Sequence, residues 1–287
     1  MARKLVLKGA LRQIIARFSF YSGYCFIAHH LRISNGGRIL CYHGITPHPF
    51  NQYAISTITF MQQMEYLVNN YLIISIDHLV EMLRNGERIS PKVVAVTIDD
   101  GFLDVYENAY PIFIRYNIPA TIFLPVKFIN NNSLQEENHL LPQNKFLTWD
   151  QIREMSNNGC SFGSHTVSHI SLGKLSNSQI QYELETSKTR IEMELGKNVT
   201  GFAYPYGTYR DFNPKIERLV EEAGYSWAVS TLSGVNKVGR NLYALRRTTI
   251  ENSDSYSSFQ HVMSGALDPW IIMQKLGFYI RHRKKVQ

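Results

Sequence analysis

The first 64 residues contain neither aspartate nor glutamate. Arg3, Lys4, Lys8, Arg12, Arg17, Arg32 and Arg38 lie in that stretch, and the rest of the chain carries 23 basic and 23 acidic residues. The formal charge of +7 is therefore a property of one end and not of the body. A neutral body without a recognisable binding motif argues against nucleic acid as a partner. Cysteine is scarce as well. Cys25, Cys41 and Cys160 are odd in number and show no Cys-x-x-Cys spacing. That excludes a disulfide framework and a thiolate zinc site, and it permits a reducing compartment. Long apolar runs are missing too. The uncharged stretch from Phe18 to Leu31 covers fourteen residues, too few to span a bilayer, and Lys8, Arg12 and Arg17 break any longer window. The same arginines, with no small-residue cleavage site after them, make a secretory signal a poor fit.

What is present is a globular chain of 287 residues with 44% hydrophobic and 18% charged residues, enough for a sizeable core. Residues 1–37 read as a basic amphipathic appendage. Leu7, Leu11, Ile14, Ile15 and Phe18 recur at helical spacing, with Lys4, Lys8 and Arg12 on another face. Two placements follow, a helix lying on an anionic membrane surface or a helix packed on the body. From Arg38 onward strands alternate with helices. Strands are predicted at 38–42, 72–76, 93–98, 120–124, 160–162, 199–203, 227–231 and 243–250. Helices are predicted at 60–71, 77–83, 104–117, 148–157, 176–195 and 214–223, with an Asn-rich surface loop at 130–144. That pitch means parallel βαβ units, and seven or eight of them suggest a closed or nearly closed barrel. The body runs to residue 251. Residues 252–287 form a second extension, in which Trp270, Phe278 and Tyr279 precede Arg281, Arg283, Lys284 and Lys285.

Val93 to Phe102 reads Val-Val-Ala-Val-Thr-Ile-Asp-Asp-Gly-Phe, a buried strand delivering two acids to a strand end. Side chains alternate along a strand, so Asp99 and Asp100 take different jobs, one binding a cation while the other stays free for a proton. His165 and His169 are four apart, which in a helical turn puts both imidazoles on one face. Two histidines and a carboxylate bind a divalent metal from one side and leave positions open for water and substrate.

Thr97-Ile98-Asp99-Asp100-Gly101-Phe102, Ser164-His165-Thr166-Val167-Ser168-His169, Phe202-Ala203-Tyr204-Pro205-Tyr206-Gly207 and Leu245-Arg246-Arg247 follow in order. With Leu40-Cys41-Tyr42-His43 and Leu147-Thr148-Trp149, this set resembles the polysaccharide deacetylase family over about residues 38–250. The resemblance implies an α/β fold, a distorted (β/α) barrel with seven or eight parallel strands. It also implies metal-dependent hydrolysis of a sugar acetamide, with zinc as the default ion and cobalt, nickel or manganese as substitutes. Carried over by position, Asp99 is the general base, and Asp100, His165 and His169 hold the metal. Tyr206 offers a backbone N–H to the oxyanion, and Leu245 lines the acetyl pocket. Trp149 is a further candidate, for sugar stacking.

Two family features are missing. Ala203-Tyr204 stands where many relatives carry an arginine, and Arg246-Arg247 stands where many carry a late histidine. The remaining pattern resembles the subgroup of poly-N-acetylglucosamine deacetylases, in which a histidine after the first strand is the acid. His43 holds that place, and Arg247 is the candidate to replace the absent arginine. The expected partner is an N-acetylated glycan. The alternatives are a lipid-linked sugar at the membrane, or a metal-free glycan-binding module on the same scaffold. The expected location is cytoplasmic, with peripheral contact to the inner membrane face through both termini.

Overall fold

Val93–Ile98 is buried at every position, so both of its faces are covered, as befits a central strand of a parallel sheet. The computed structural model describes residues 2–31, 35–49, 51–130 and 145–283. The helices are α1 (Ala2–Tyr21), α2 (Tyr24–His30), α3 (Thr57–Asn70), α4 (Ile76–Arg84), α5 (Tyr110–Tyr116), α6 (Trp149–Asn157), α7 (Asn177–Leu195), α8 (Pro214–Glu222), α9 (Tyr256–Met263) and α10 (Trp270–Arg283). The strands are β1 (Arg38–Tyr42), β2 (Leu72–Ile73), β3 (Val93–Ile98), β4 (Thr121–Leu124), β5 (Ser161–Ser164), β6 (Gly201–Ala203), β7 (Trp227–Val229) and β8 (Thr248–Thr249).

The sheet runs β7-β6-β5-β4-β3-β1-β8, with β2 added beside the start of β3, and every pairing is parallel. Its two edges are tied by one segment. Leu245 N–H donates to Ala228 of β7 and the Leu245 carbonyl accepts from Ser230, while Ile250 N–H donates to Cys41 of β1. The result is a curled sheet of the expected distorted (β/α) barrel type.

Alternation then decides what fills the ring. Val93, Ala95, Thr97 and Asp99 share one face of β3, and Val93 and Ala95 pack with Ile39, Phe123, Ala203, Trp227 and Val229 in one buried cluster. Trp227 and Phe123 are large enough that their neighbours must be small. A Cβ on Gly201 would lie 2.2 Å from the Trp227 ring, and one on Gly163 would lie 2.5 Å from Phe123. α4 closes the N-terminal end of the ring with Ile76, Leu79, Val80 and Leu83, and its Asp77 accepts the Trp227 indole N–H at 2.8 Å. The opposite β3 face, Val94, Val96 and Ile98, belongs to the larger outer cluster under the surrounding helices.

Several elements differ from expectation, each for a local reason. The helix predicted at 104–117 is a π turn at Val105–Ala109 followed by α5, because Pro111 has no N–H for the regular ladder. The strand predicted at 72–76 stops at Ile73, since Ser75 caps α4 and accepts from His78 N–H. The last strand, predicted at 243–250, shrinks to Thr248–Thr249 because the segment changes partners from β7 to β1 as it crosses. The loop predicted at 130–144 lies, beyond Asn130, outside the described residues. Residues 252–287 are only partly an appendage, since Phe259, Val262, Met263 and Trp270 join the outer cluster.

Candidate active site

His43, Asp99, Asp100, His165, His169 and Tyr206 follow the C-terminal ends of β1, β3, β5 and β6, where barrel loops converge, and Arg247 enters from the segment just before β8. Alternation aims Asp99 into the ring mouth, and Asp100 would then point away. It does not, because Asp100 and Gly101 both adopt left-handed backbone, with φ of 73° and 61°. Aspartate tolerates that region better than most residues. Asp100 Oδ1 consequently lies 3.6 Å from His165 Nε2 and 3.2 Å from His169 Nε2, while His165 Nε2 is 4.0 Å from Asp99 Oδ2.

The histidines meet by a different route from the helical turn expected. Residues 165–170 form no helix; Thr166 and His169 have φ of 70° and 56°. His169 N–H donates to Thr166 Oγ1, and Glu183 of α7 accepts from the Val167 and Ser168 N–H groups and the Ser168 hydroxyl. One buried carboxylate thus shapes the loop that carries both imidazoles. His165 Nδ1 lies 2.7 Å from the Ala203 carbonyl. A carbonyl only accepts, so Nδ1 carries the proton and Nε2 presents its lone pair to the mouth. Burial pushes the His165 pKa down to about 4, which keeps the ring neutral despite Asp99.

The donor set fits a cation. The ligand atoms of Asp100, His165 and His169 all lie within 4.8 Å of one another. Two donors at about 2.1 Å from one ion stand roughly 3.3 Å apart, close to the separations seen. Asp100 Oδ1 is buried and makes no regular hydrogen bond; its one near neighbour is His169 Nε2 at 3.2 Å, a charge contact that steadies the carboxylate. Such an oxygen is costly unless something fills the point on which the three groups converge.

Asp99 stands beside this point in another bond pattern. Arg247 Nη1 and Nη2 donate to its two oxygens at 2.6 and 2.7 Å, and the arginine is wholly buried. Burial alone would raise the Asp99 pKa, but the Arg247 charge, with His165 behind it, holds the acid well below the usual carboxylate range. Arg247 is itself fixed by donation to the Ser230 carbonyl and Thr97 Oγ1. Cys41, absent from the sequence-based candidates, donates weakly to Asp99 Oδ2 at 3.5 Å. Cys41, His43 and Asp99 form a second group within metal-binding reach. It is the poorer site: Arg247 already occupies Asp99, and burial pushes the Cys41 thiol far up, away from the thiolate.

His43 has a buried, partnerless Nδ1 and a ring 5.1 Å from that of Tyr53. Its corner is pinned by two side chains the sequence did not single out. Asp104 Oδ2 accepts from Ile45 N–H and Asn108 donates to the Ile45 carbonyl. Burial raises the Asp104 pKa to about 7; the Ile45 bond opposes the shift, and Glu107 and Asp100 add to it. Tyr206 has φ of 62°, its carbonyl accepts from Thr231 Oγ1, and its half-exposed ring lies 5.2 Å from His169. Its backbone N–H has no acceptor among the described residues.

Two expected substrate contacts sit elsewhere. Leu245 has no exposed surface and packs among Phe123, Trp227 and Val229, making it part of the filling beneath the mouth and not an open wall. Trp149 is buried at the start of α6 with Arg190 over its ring, so its faces are covered. Nothing in sequence distinguishes a stacking tryptophan from a core one.

With this geometry in hand, likeness to known proteins becomes informative. A family model described as polysaccharide deacetylase matches residues 86–228. YxkH of Bacillus subtilis (strain 168), whose name assigns it provisionally to the polysaccharide deacetylases, is 32% identical over 222 residues, covering 77% of this chain and 74% of its own. A poly-beta-1,6-N-acetyl-D-glucosamine N-deacetylase of Staphylococcus aureus (strain MRSA252) is 23% identical over 245 residues, 82% and 79% of the two chains. Among solved structures, the Streptococcus pyogenes deacetylase PplD in complex with acetate superposes with a TM-score of 0.68 at 28% identity, over 79% of this chain and 98% of that one. IcaB from Ammonifex degensii superposes with a TM-score of 0.69 at 24% identity, over 81% and 97%, a likeness of fold.

Proposed function

We propose a substrate and a set of roles from one premise: the chain belongs to the polysaccharide deacetylase family. The reaction is metal-dependent hydrolysis of the acetamide on an amino-sugar unit of a polysaccharide, releasing acetate and leaving a free amine. The supporting observation is the convergence of one carboxylate oxygen and two imidazole nitrogens beside a carboxylate already claimed by an arginine. Asp100, His165 and His169 would hold a divalent cation, which polarises a carbonyl and acidifies a water molecule to a pKa near 7. Zinc suits a set of two imidazoles and one carboxylate, and cobalt, nickel and manganese are its competitors.

Asp99 accepts the proton of the attacking water. An acid held so low is a weak base, so acidification of the water must close the gap from the other side. Arg247 keeps Asp99 ionised and fixes the plane of its carboxylate. Tyr206 N–H donates to the oxygen that gains charge, a contribution of about 10²–10³ in rate for one such donor. His43 delivers a proton to the departing amine. The named substrate of the Staphylococcus aureus relative supports a β-1,6-linked N-acetylglucosamine polymer as the first sugar to test.

Chelator-stripped full chain, incubated with β-1,6-linked N-acetylglucosamine oligomers, should release no acetate, and added zinc should restore release. No acetate from any N-acetylated glycan, with metal bound, would overturn the proposal. Neither alternative gains support: the three metal-donor groups converge as the hydrolytic reading requires, which a metal-free binding module would not need.

A further inference from the structure

α1 is docked inside out. Its polar and small residues, Arg12, Ala16 and Ser19, face the body and are buried. Arg12 Nη1 reaches both Asp254 oxygens at 2.7 Å, Arg12 Nη2 donates to the Thr249 carbonyl at 2.7 Å, and Gln13 donates to Asp254. Ile15, Tyr24 and Cys25 pack inward, but the larger part of the described apolar surface points the other way. Ile14, Phe18 and Tyr21 on α1, with Phe26, Ile27 and Leu31 on and after α2, are between 54% and 77% exposed. A surface helix of a soluble domain normally turns its apolar stripe to the core. Here a buried ion pair holds the opposite orientation, so the stripe is presented to whatever lies outside. A single exposed phenylalanine needs no explanation, but a contiguous aliphatic and aromatic face does.

We propose that this face is a docking surface for an anionic lipid bilayer, with α1 and α2 lying in the headgroup region. Charge selects this occupant. Besides the paired Arg12, the same segment contains Arg3, Lys4, Lys8, Arg17 and Arg32 and no acid, and the first acid of the chain is Glu65. Pairing this face with a second copy would bring two acid-free segments together, whereas an anionic surface complements both the charge and the apolar stripe. Each basic residue near such a surface strengthens partitioning about fivefold. The contact is peripheral, since no described helix is long and apolar enough to cross a membrane.

The test uses the full chain with phosphatidylcholine vesicles, pure or one-third phosphatidylglycerol, in a sedimentation assay that involves no sugar and stands apart from the deacetylase reading. The chain should pellet with the anionic vesicles at least tenfold more strongly than with the neutral ones, and less as salt rises. Phe18→Asp with Phe26→Asp should abolish pelleting at an unchanged thermal midpoint, and Phe18→Leu with Phe26→Leu should retain it. Equal pelleting of the Asp variant and the wild type would overturn the proposal, as would no pelleting at all or indifference to lipid charge. A lipid-free dimer in light scattering, dissolved by the same Asp substitutions, would assign the face to a second copy and overturn it too.

Discussion

Arg247 and Arg12 are both buried and both grip an aspartate, one at the barrel mouth and the other under an outer helix. The two carboxylates differ in what they have left. A carboxylate offers about four lone-pair positions. Asp254 accepts two bonds from Arg12, one from Gln13 and one from Glu251 N–H, and is saturated. Asp99 accepts two from Arg247 and a weak one from Cys41, which leaves a position open toward His165 and the mouth. The donor geometry differs in the same sense. Arg247 uses two nitrogens as a fork, which fixes the carboxylate plane, whereas Arg12 shares one nitrogen between both oxygens. One pair is a clamp. The other is a mount that leaves its carboxylate room for one more partner.

Breaking each pair should separate these roles. Arg247→Met should cut acetate release by roughly 10²–10⁴, the usual worth of a positioned proton acceptor, with the cation still bound. Stability should fall by about 3–5 kcal/mol as Asp99 is left buried and unpaired. Arg247→Lys keeps the charge but not the fork, and should recover folding better than turnover. Activity within a few-fold of wild type in both variants would remove the mount from the account.

Arg12→Met should spare acetate release from soluble oligomers. Because α1 can swing off and let water reach Asp254, its stability cost should stay at about 1–3 kcal/mol, below that of the mouth pair. At roughly 2–4 °C per kcal/mol for a chain of this size class, thermal unfolding reads the difference. A larger drop for Arg12 than for Arg247 would invert the comparison.

Glu183→Gln touches the mouth from outside. It removes charge from three hydrogen bonds to the His165–His169 loop, so metal affinity should fall by about tenfold while turnover per bound ion holds. Isothermal titration with zinc separates the two quantities. Asp104→Asn changes a pH slope and leaves turnover alone. In the wild type the folded state keeps this carboxyl protonated up to about pH 7, while the unfolded chain ionises it near 4. The folded state thus holds the extra proton between those values, and stability should decline as pH rises through that window, by at most about 1.4 kcal/mol per unit. Denaturant unfolding at pH 5 and pH 8 should show a flatter slope for Asp104→Asn.

Much of this was legible in the chain. The βα alternation implied a barrel because each strand and helix leaves its own local pattern. The acids and histidines stood out because they punctuate strand ends. What stayed hidden depends on handedness and on partners far away in sequence. Left-handed backbone at Asp100 and Thr166, which no periodicity signals, brings the candidate metal donors together. Glu183 reads in sequence as one more polar residue on a long helix. Arg247 could be placed by its motif, but its fork on Asp99 depends on how the segment after Leu245 crosses from β7 to β1. For α1, spacing revealed two faces and could not say which was turned inward. Arg12 decides that, through an aspartate 242 positions away.

X-ray absorption at the metal edge of the zinc-loaded full chain would test the centre of this account most directly, since two neighbouring donor groups compete for the ion. Asp100, His165 and His169 predict two imidazole nitrogens and a carboxylate oxygen at about 2.0–2.2 Å, completed by light atoms and no sulfur. A sulfur scatterer near 2.3 Å would put the ion on Cys41, displace Arg247 from Asp99 and contradict the assignment of both acids.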